Sequence, residues 1–142
     1  MPITIKTKKD IENMRIAGQK AAAVLNMLDQ YVVPGITTEE LDKIAFDYIT
    51  RDLKCIPANV GYNGYPKTLC TSLNSVICHG IPSETQTLKD GDILNIDVTV
   101  IENKWHGDTS KMYAVGKIQN FAKRLIDVTQ ECMYQGLSLI HI

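Results

Sequence analysis

Apolar residues recur at helical spacing through the first third of the chain. Ile11, Met14, Gly18, Ala21, Leu25 and Leu28 fall on one stripe of a helix. Thr7 and Asp10 precede the stripe at the spacing of a capping box, in which two side chains satisfy the first free backbone N–H groups. Pro34-Gly35 in "VVPG" (32–35) ends the helix. Thr37 and Glu40 repeat the capping signal, and Leu41, Ile44, Ala45 and Tyr48 mark a second amphipathic helix. Gly18 and the run Ala21-Ala22-Ala23 are small enough for the first helix to lie close against something flat, such as a sheet.

From residue 55 the period shortens. "CIPANVGYNGYPKTLCTSLNSVICHGIP" is dense in turn residues and short β-rich runs, and predicts strands and loops. The clearest strand is "GDILNIDVTVI" (91–101). Its alternation puts Leu94, Ile96, Val98 and Val100 on one face and Asn95, Asp97 and Thr99 on the other. The apolar face is expected to meet the helices, and the polar face a cleft or solvent. "KWHGDTSKMYAV" (104–115) returns as the partner strand, where Gly107 suits a bulge or the close approach of another group. A last helix is predicted from about residue 118, with Phe121, Leu125, Val128 and Cys132 on one stripe. No internal repeat or low-complexity segment interrupts this order.

A two-residue turn at Glu102-Asn103 would set Ile101 opposite Lys104, Val100 opposite Trp105, Thr99 opposite His106 and Asp97 opposite Asp108. Directly opposed residues have β-carbons about 4.5–5.5 Å apart, where like charges destabilise. Two facing carboxylates can share a proton, as an acid–base dyad does, or share divalent cations. The bland alternative is an exposed strand aspartate and an unrelated turn aspartate in "HGDTS". The spacing alone does not choose among these.

Charge removes other classes. The 142 residues carry 15 Lys+Arg against 16 Asp+Glu, a formal net charge of −1. No basic excess is present to track nucleic-acid phosphates, and "KTKK" (6–9) reads as a solvated terminus. Length suits one domain, and 44% hydrophobic with 22% charged residues is ordinary for a globular chain. The start, "MPITIKTKKD", has no apolar targeting core, and no run approaches a membrane span, so a cytoplasmic location is expected. Cys55, Cys70, Cys78 and Cys132 form no CxxC pair and read as reduced thiols, each expected to be buried.

His79 ends a short apolar run in "VICHGIP", ahead of Gly80, in the kind of loop where sites are built. A structural histidine would fit there as well. His106 reads as structural. "GYNGYP" (61–66) predicts a tight bend at Asn63-Gly64. Tyr62 and Tyr65 either pack over that bend or wall an apolar pocket, which with a nearby cysteine would suit an unbranched thioether side chain.

Taken together, "IENMRIAGQKAA", "VVPGITTEELD", "GYNGYPKTLCTSLNSVICHGIP", "LKDGDILNIDVTV" and "HGDTSKMYAVG" resemble the type I methionine aminopeptidases of peptidase family M24, of the compact bacterial kind. The likeness runs collinearly over about residues 3–135. It implies the pita-bread α/β (α+β) fold, of which this chain would be the N-terminal half: an antiparallel sheet with helices packed on one face. It further implies two divalent metal ions (Co, Mn, Fe, Zn or Ni), with Asp97 as the first aspartate ligand and Asp108 as the second, bridging one. His79 matches the histidine that contacts substrate and assists at the scissile amide. Tyr62, Tyr65 and Cys70 match the lining of the methionine pocket, and Thr99 a supporting residue beside the first ligand. The family commonly carries a histidine where this chain has Asn63.

The implied reaction is metal-assisted hydrolysis of the first peptide bond of nascent polypeptides near the ribosome, releasing methionine when the second residue is small. No nucleic-acid readout and no membrane are implied, and the family is usually monomeric. Met1-Pro2 is itself a suitable substrate sequence. The family's remaining ligands, one histidine and two glutamates, lie in a second half beyond this chain. Residues 1–142 are therefore expected to form one partial domain, with the tail 137–142 ("LSLIHI") outside the likeness. Alone, such a chain is expected to be inactive and to self-associate. A catalytically dead binding module on the same fold and a metal-free carboxylate-dyad hydrolase are the alternatives.

Overall fold

The computed structural model describes residues 3–140. Met1-Pro2 and the last two residues of the tail lie outside them. Helix α1 spans Lys8–Leu28, and Thr7 and Asp10 form the expected reciprocal capping box. Ala17, Ala21, Val24, Leu25 and Leu28 are its buried stripe, whereas Ile11 and Met14 are exposed. Helix α2 spans Thr38–Asp47 behind the second capping box, Thr37 with Glu40, and runs on into a π-turn over Tyr48–Asp52.

Four antiparallel strands follow: β1 (Ile56–Pro57), β2 (Leu69–Leu73), β3 (Ile93–Glu102) and β4 (Trp105–Ala114). β3 pairs with β4 along its whole length. The two short strands therefore share its other edge, β2 against residues 94–98 and β1 against residues 100–101. Leu94, Ile96, Val98 and Val100 are fully buried on the helix side and join Val24, Leu25, Leu28, Leu41, Ala45 and Ile49 in one core. Each such side chain contributes about 1.5–3 kcal/mol by leaving water. Gly107 of β4 lies directly on α1: a β-carbon there would strike the Ala17 carbonyl. The close approach expected at Gly107 is real, and its partner is the small-residue stretch of α1.

The β3–β4 register differs from the sequence expectation by two residues. The turn is Asn103-Lys104, so Glu102 faces Trp105, Ile101 faces His106, Val100 faces Gly107, Thr99 faces Asp108 and Asp97 faces Ser110. Both turn residues are left-handed, Asn103 at φ 49° and Lys104 at φ 72°, as a type I′ hairpin requires. Asparagine tolerates that region and glutamate does not gain from it. Glu102 stays in the strand, where its carboxylate accepts from Lys20 Nζ at 2.7 Å and from Cys55 Sγ at 3.2 Å. An even slip preserves which face each side chain takes.

Helix α3 spans Asn120–Ser138. Its stripe is present, but Phe121, Leu125, Val128 and Cys132 are exposed and only Ala122 is buried. The thiols divide likewise. All four are unbridged, with Cys55 and Cys70 buried, but Cys78 and Cys132 are exposed, against the expectation that each would be covered.

Candidate metal centre

The polar face of the sheet forms one wall of a pocket of about 510 Å³. Asp97, Thr99 and Asp108 line it from β3 and β4, Cys70 from β2, His79 from the loop after β2, and Tyr62 and Tyr65 from the 61–66 turn. Each residue singled out in the sequence as a site residue thus lines the same cavity. His106 does not. Asn59 and Ile81 also line the pocket and were not singled out. Asn59 is placed by its side-chain amide donating to the Thr68 carbonyl at 2.9 Å, a contact with no local sequence signal.

Strand pairing explains the convergence. Asp97 stands between Cys70 on one side and Ser110 on the other, and Asp108 lies directly across from Thr99. The two aspartates are therefore diagonal neighbours on one face, where backbone separations are about 7–8 Å, and not directly opposed. Thr99 Oγ1 donates to Asp108 Oδ1 at 3.0 Å, so the threonine holds the second aspartate. The turn at Asn63-Gly64 is as expected, with Asn63 at φ 48° and Gly64 at φ 81°, and Tyr65 N–H closes it onto the Tyr62 carbonyl.

Electrostatics show what the pair needs. Burial, followed by the negative charge of nearby Asp108, holds Asp97 above the usual carboxylate range; His79 pulls the other way. Cys70 is also raised, mainly by burial, and remains a thiol. A cation between the aspartates would reverse the cost of their proximity, and hard carboxylate oxygens suit a divalent ion. Among the described residues no group of three or more His, Cys, Asp or Glu side chains is placed to hold a metal ion. The donors present therefore fit one side of a divalent-metal shell.

Residues 12–142 match the metallopeptidase family M24. The methionine aminopeptidase of Salmonella typhimurium is 55% identical over 140 residues, 99% of this chain and 53% of that protein. The Escherichia coli K12 methionine aminopeptidase is 54% identical over the same shares. Among solved structures, the methionine aminopeptidase of Rickettsia prowazekii superposes with a TM-score of 0.92 at 48% identity, over 95% of this chain and 54% of that one. A more distant X-Pro aminopeptidase from Thermotoga maritima, 17% identical with a TM-score of 0.67, shares the pita-bread fold. The chain spans about half the length of the curated relatives it matches. No helix among the described residues is long and apolar enough to cross a membrane. With the family matched across nearly all of its length, the chain belongs to metallopeptidase family M24.

Proposed function

We propose that this chain carries the aspartate-bearing half of a methionine aminopeptidase site, acting on the N-termini of nascent proteins in the cytoplasm, near the ribosome, and removing methionine ahead of a small second residue. The observation that carries the reading is the placement of Asp97, Asp108 and His79 in one pocket with Tyr62, Tyr65 and Cys70. The names of the relatives point the same way.

In this reading Asp97 and Asp108 are the residues of this chain that would hold the divalent cations. Bound there, the ions supply Lewis acidity toward a peptide carbonyl and make water nucleophilic at neutral pH. The chain's own residues do the rest. Thr99 fixes the orientation of the Asp108 carboxylate. His79, exposed at the pocket rim, hydrogen-bonds the backbone of the substrate beside the scissile amide. Tyr62, Tyr65 and the neutral Cys70 thiol offer an apolar lining for an unbranched thioether. Further ligands are required from outside residues 1–142, and the tail 137–142 is not part of the catalytic half. By itself the chain binds divalent ions weakly, releases no methionine and self-associates through the apolar side chains exposed on α3.

Titration of Mn²⁺ into the chain tests the metal assignment. Weak binding that disappears in both Asp97→Asn and Asp108→Asn is the expected result, and binding unaffected by either substitution would sink it. The raised Asp97 also suits a second reading, a metal-free dyad sharing one proton. Hydrolysis that survives strong chelation would select it.

A further inference from the structure

His79 sits at φ 56°, in the left-handed region that a residue with a side chain rarely adopts. Such backbone persists only where its surroundings over-determine it. The structure shows what does so. Gly80, the next residue, lies flat on β2, and a β-carbon there would strike the Thr71 carbonyl. Its own carbonyl accepts from the Thr71 N–H at 2.7 Å, and its N–H donates to Ser72 Oγ at 3.3 Å. A third tie comes from a different element. The Tyr65 hydroxyl lies 3.1 Å from the Gly80 carbonyl and 2.9 Å from the Leu69 carbonyl.

A phenol has one hydrogen to donate. Tyr65 therefore shares it between the first residue of β2 and the residue that follows His79. The ring is half-buried, and burial raises the phenol far above its ordinary pKa, so the hydroxyl keeps that hydrogen at any physiological pH. The 61–66 turn is itself clamped, with Gly61 N–H donating to the Tyr65 carbonyl at 2.8 Å. The hydroxyl is thus a fixed point from which the loop end hangs.

We propose that Tyr65 is a positioning residue: through the Gly80 carbonyl its hydroxyl sets where His79 stands in the pocket, beyond any contribution of the ring to the pocket wall. The consequence for catalysis rests on the proposed role of His79 at the substrate amide. The positioning itself does not, and its test needs neither metal nor peptide.

The test is NMR of the full chain labelled at histidine and at backbone nitrogen, comparing Tyr65→Phe with Tyr113→Phe. Tyr113 is a second phenol tied to a carbonyl, more deeply buried, donating to the Leu25 carbonyl at 2.8 Å on the other side of the sheet. Tyr65→Phe is expected to shift and broaden the His79 ring and the residue 79–80 amides, and to speed exchange of the Thr71 N–H about tenfold by loosening the strand–loop contact. Tyr113→Phe is expected to leave His79 unmoved. A folded Tyr65→Phe chain with wild-type His79 and Thr71 signals overturns the proposal, as does an equal response to Tyr113→Phe. Should Tyr65→Phe not fold, the unaltered chain decides. A hydroxyl proton on Tyr65 with a through-space contact to the Gly80 α-protons supports the tie, and its absence at low temperature overturns it.

Discussion

Thr99 Oγ1 donates to Asp108 Oδ1 at 3.0 Å, across the directly paired position of two adjacent strands. The bond fixes one carboxylate oxygen and leaves the other free to face the pocket. Partners of this kind set the orientation of a metal ligand, and losing them typically costs ten- to a hundredfold in metal affinity. Thr99→Val is therefore expected to weaken Mn²⁺ binding by about that factor while lowering stability by less than about 1.5 kcal/mol. Calorimetric titration alongside urea denaturation separates the two effects.

Asp42 was not singled out in the sequence, yet it anchors the strand that carries Cys70. Its Oδ1 accepts from the Thr68 and Leu69 N–H groups at 2.9 and 2.8 Å, and the residue is 6% exposed. Asp42→Ala leaves two buried N–H groups without an acceptor and is expected to cost about 1–3 kcal/mol. Asp42→Asn keeps an acceptor and is expected to cost less. Thermal or urea unfolding of the two variants checks the difference.

The same residue gives stability a pH dependence of known sign. Burial raises the Asp42 pKa above its ordinary value, the two backbone hydrogen bonds opposing only in part. A raised folded pKa means that the folded state holds the proton more tightly. The stabilisation is present below the unfolded pKa of about 4 and is lost as pH rises through the folded value. Glu102 behaves oppositely: the Lys20 and Cys55 hydrogen bonds lower its pKa, so its contribution is present above the unfolded value and lost as pH falls through the folded one. Urea midpoints across pH 3–8 are expected to lose the decline that begins above about pH 4 in Asp42→Asn and to flatten on the acid side in Glu102→Gln.

Thr71 Oγ1 is buried on the core face of β2 with no hydrogen-bond partner among the described residues. Replacing that hydroxyl by a methyl removes an unpaired polar group without changing shape. Thr71→Val is expected to stabilise the chain by about 1 kcal/mol, read as a higher urea midpoint.

Gly107 meets helical backbone, which cannot move aside as a flexible side chain would. Gly107→Ala is expected to cost about 3 kcal/mol or more, because α1 must lift from β4. Loss of the cooperative unfolding transition in circular dichroism would agree; a wild-type transition would contradict the close packing.

Local rules carried the elements well. Both capping boxes, the β3 alternation and the Asn63-Gly64 bend depend on residues within a few positions of one another, and all are found. The hairpin register is not local in the same way. It turns on Glu102 being held in β3 by Lys20, 82 residues away, and on the preference of Asn103 for the left-handed turn. Because the slip was even, the facing of Asp97 and Asp108 survived it, and the pocket could be read before its geometry. Asp42 and Asn59 were invisible for the converse reason: their partners are backbone groups brought close only by the folded sheet. The α3 stripe was legible as a pattern, but a pattern does not say what, if anything, covers it.

On the proposed reading, Asp97 and Asp108 serve a metal-dependent methionine aminopeptidase site completed from outside this chain. The direct measurement is methionine release from a Met-Gly peptide by residues 3–135 joined to the remaining half of the Escherichia coli relative, with Mn²⁺ titrated in. Release that a chelator abolishes, and that Asp97→Asn or Asp108→Asn removes, is the expected result. Release that persists under chelation or in the double variant would exclude a metal site at these two aspartates.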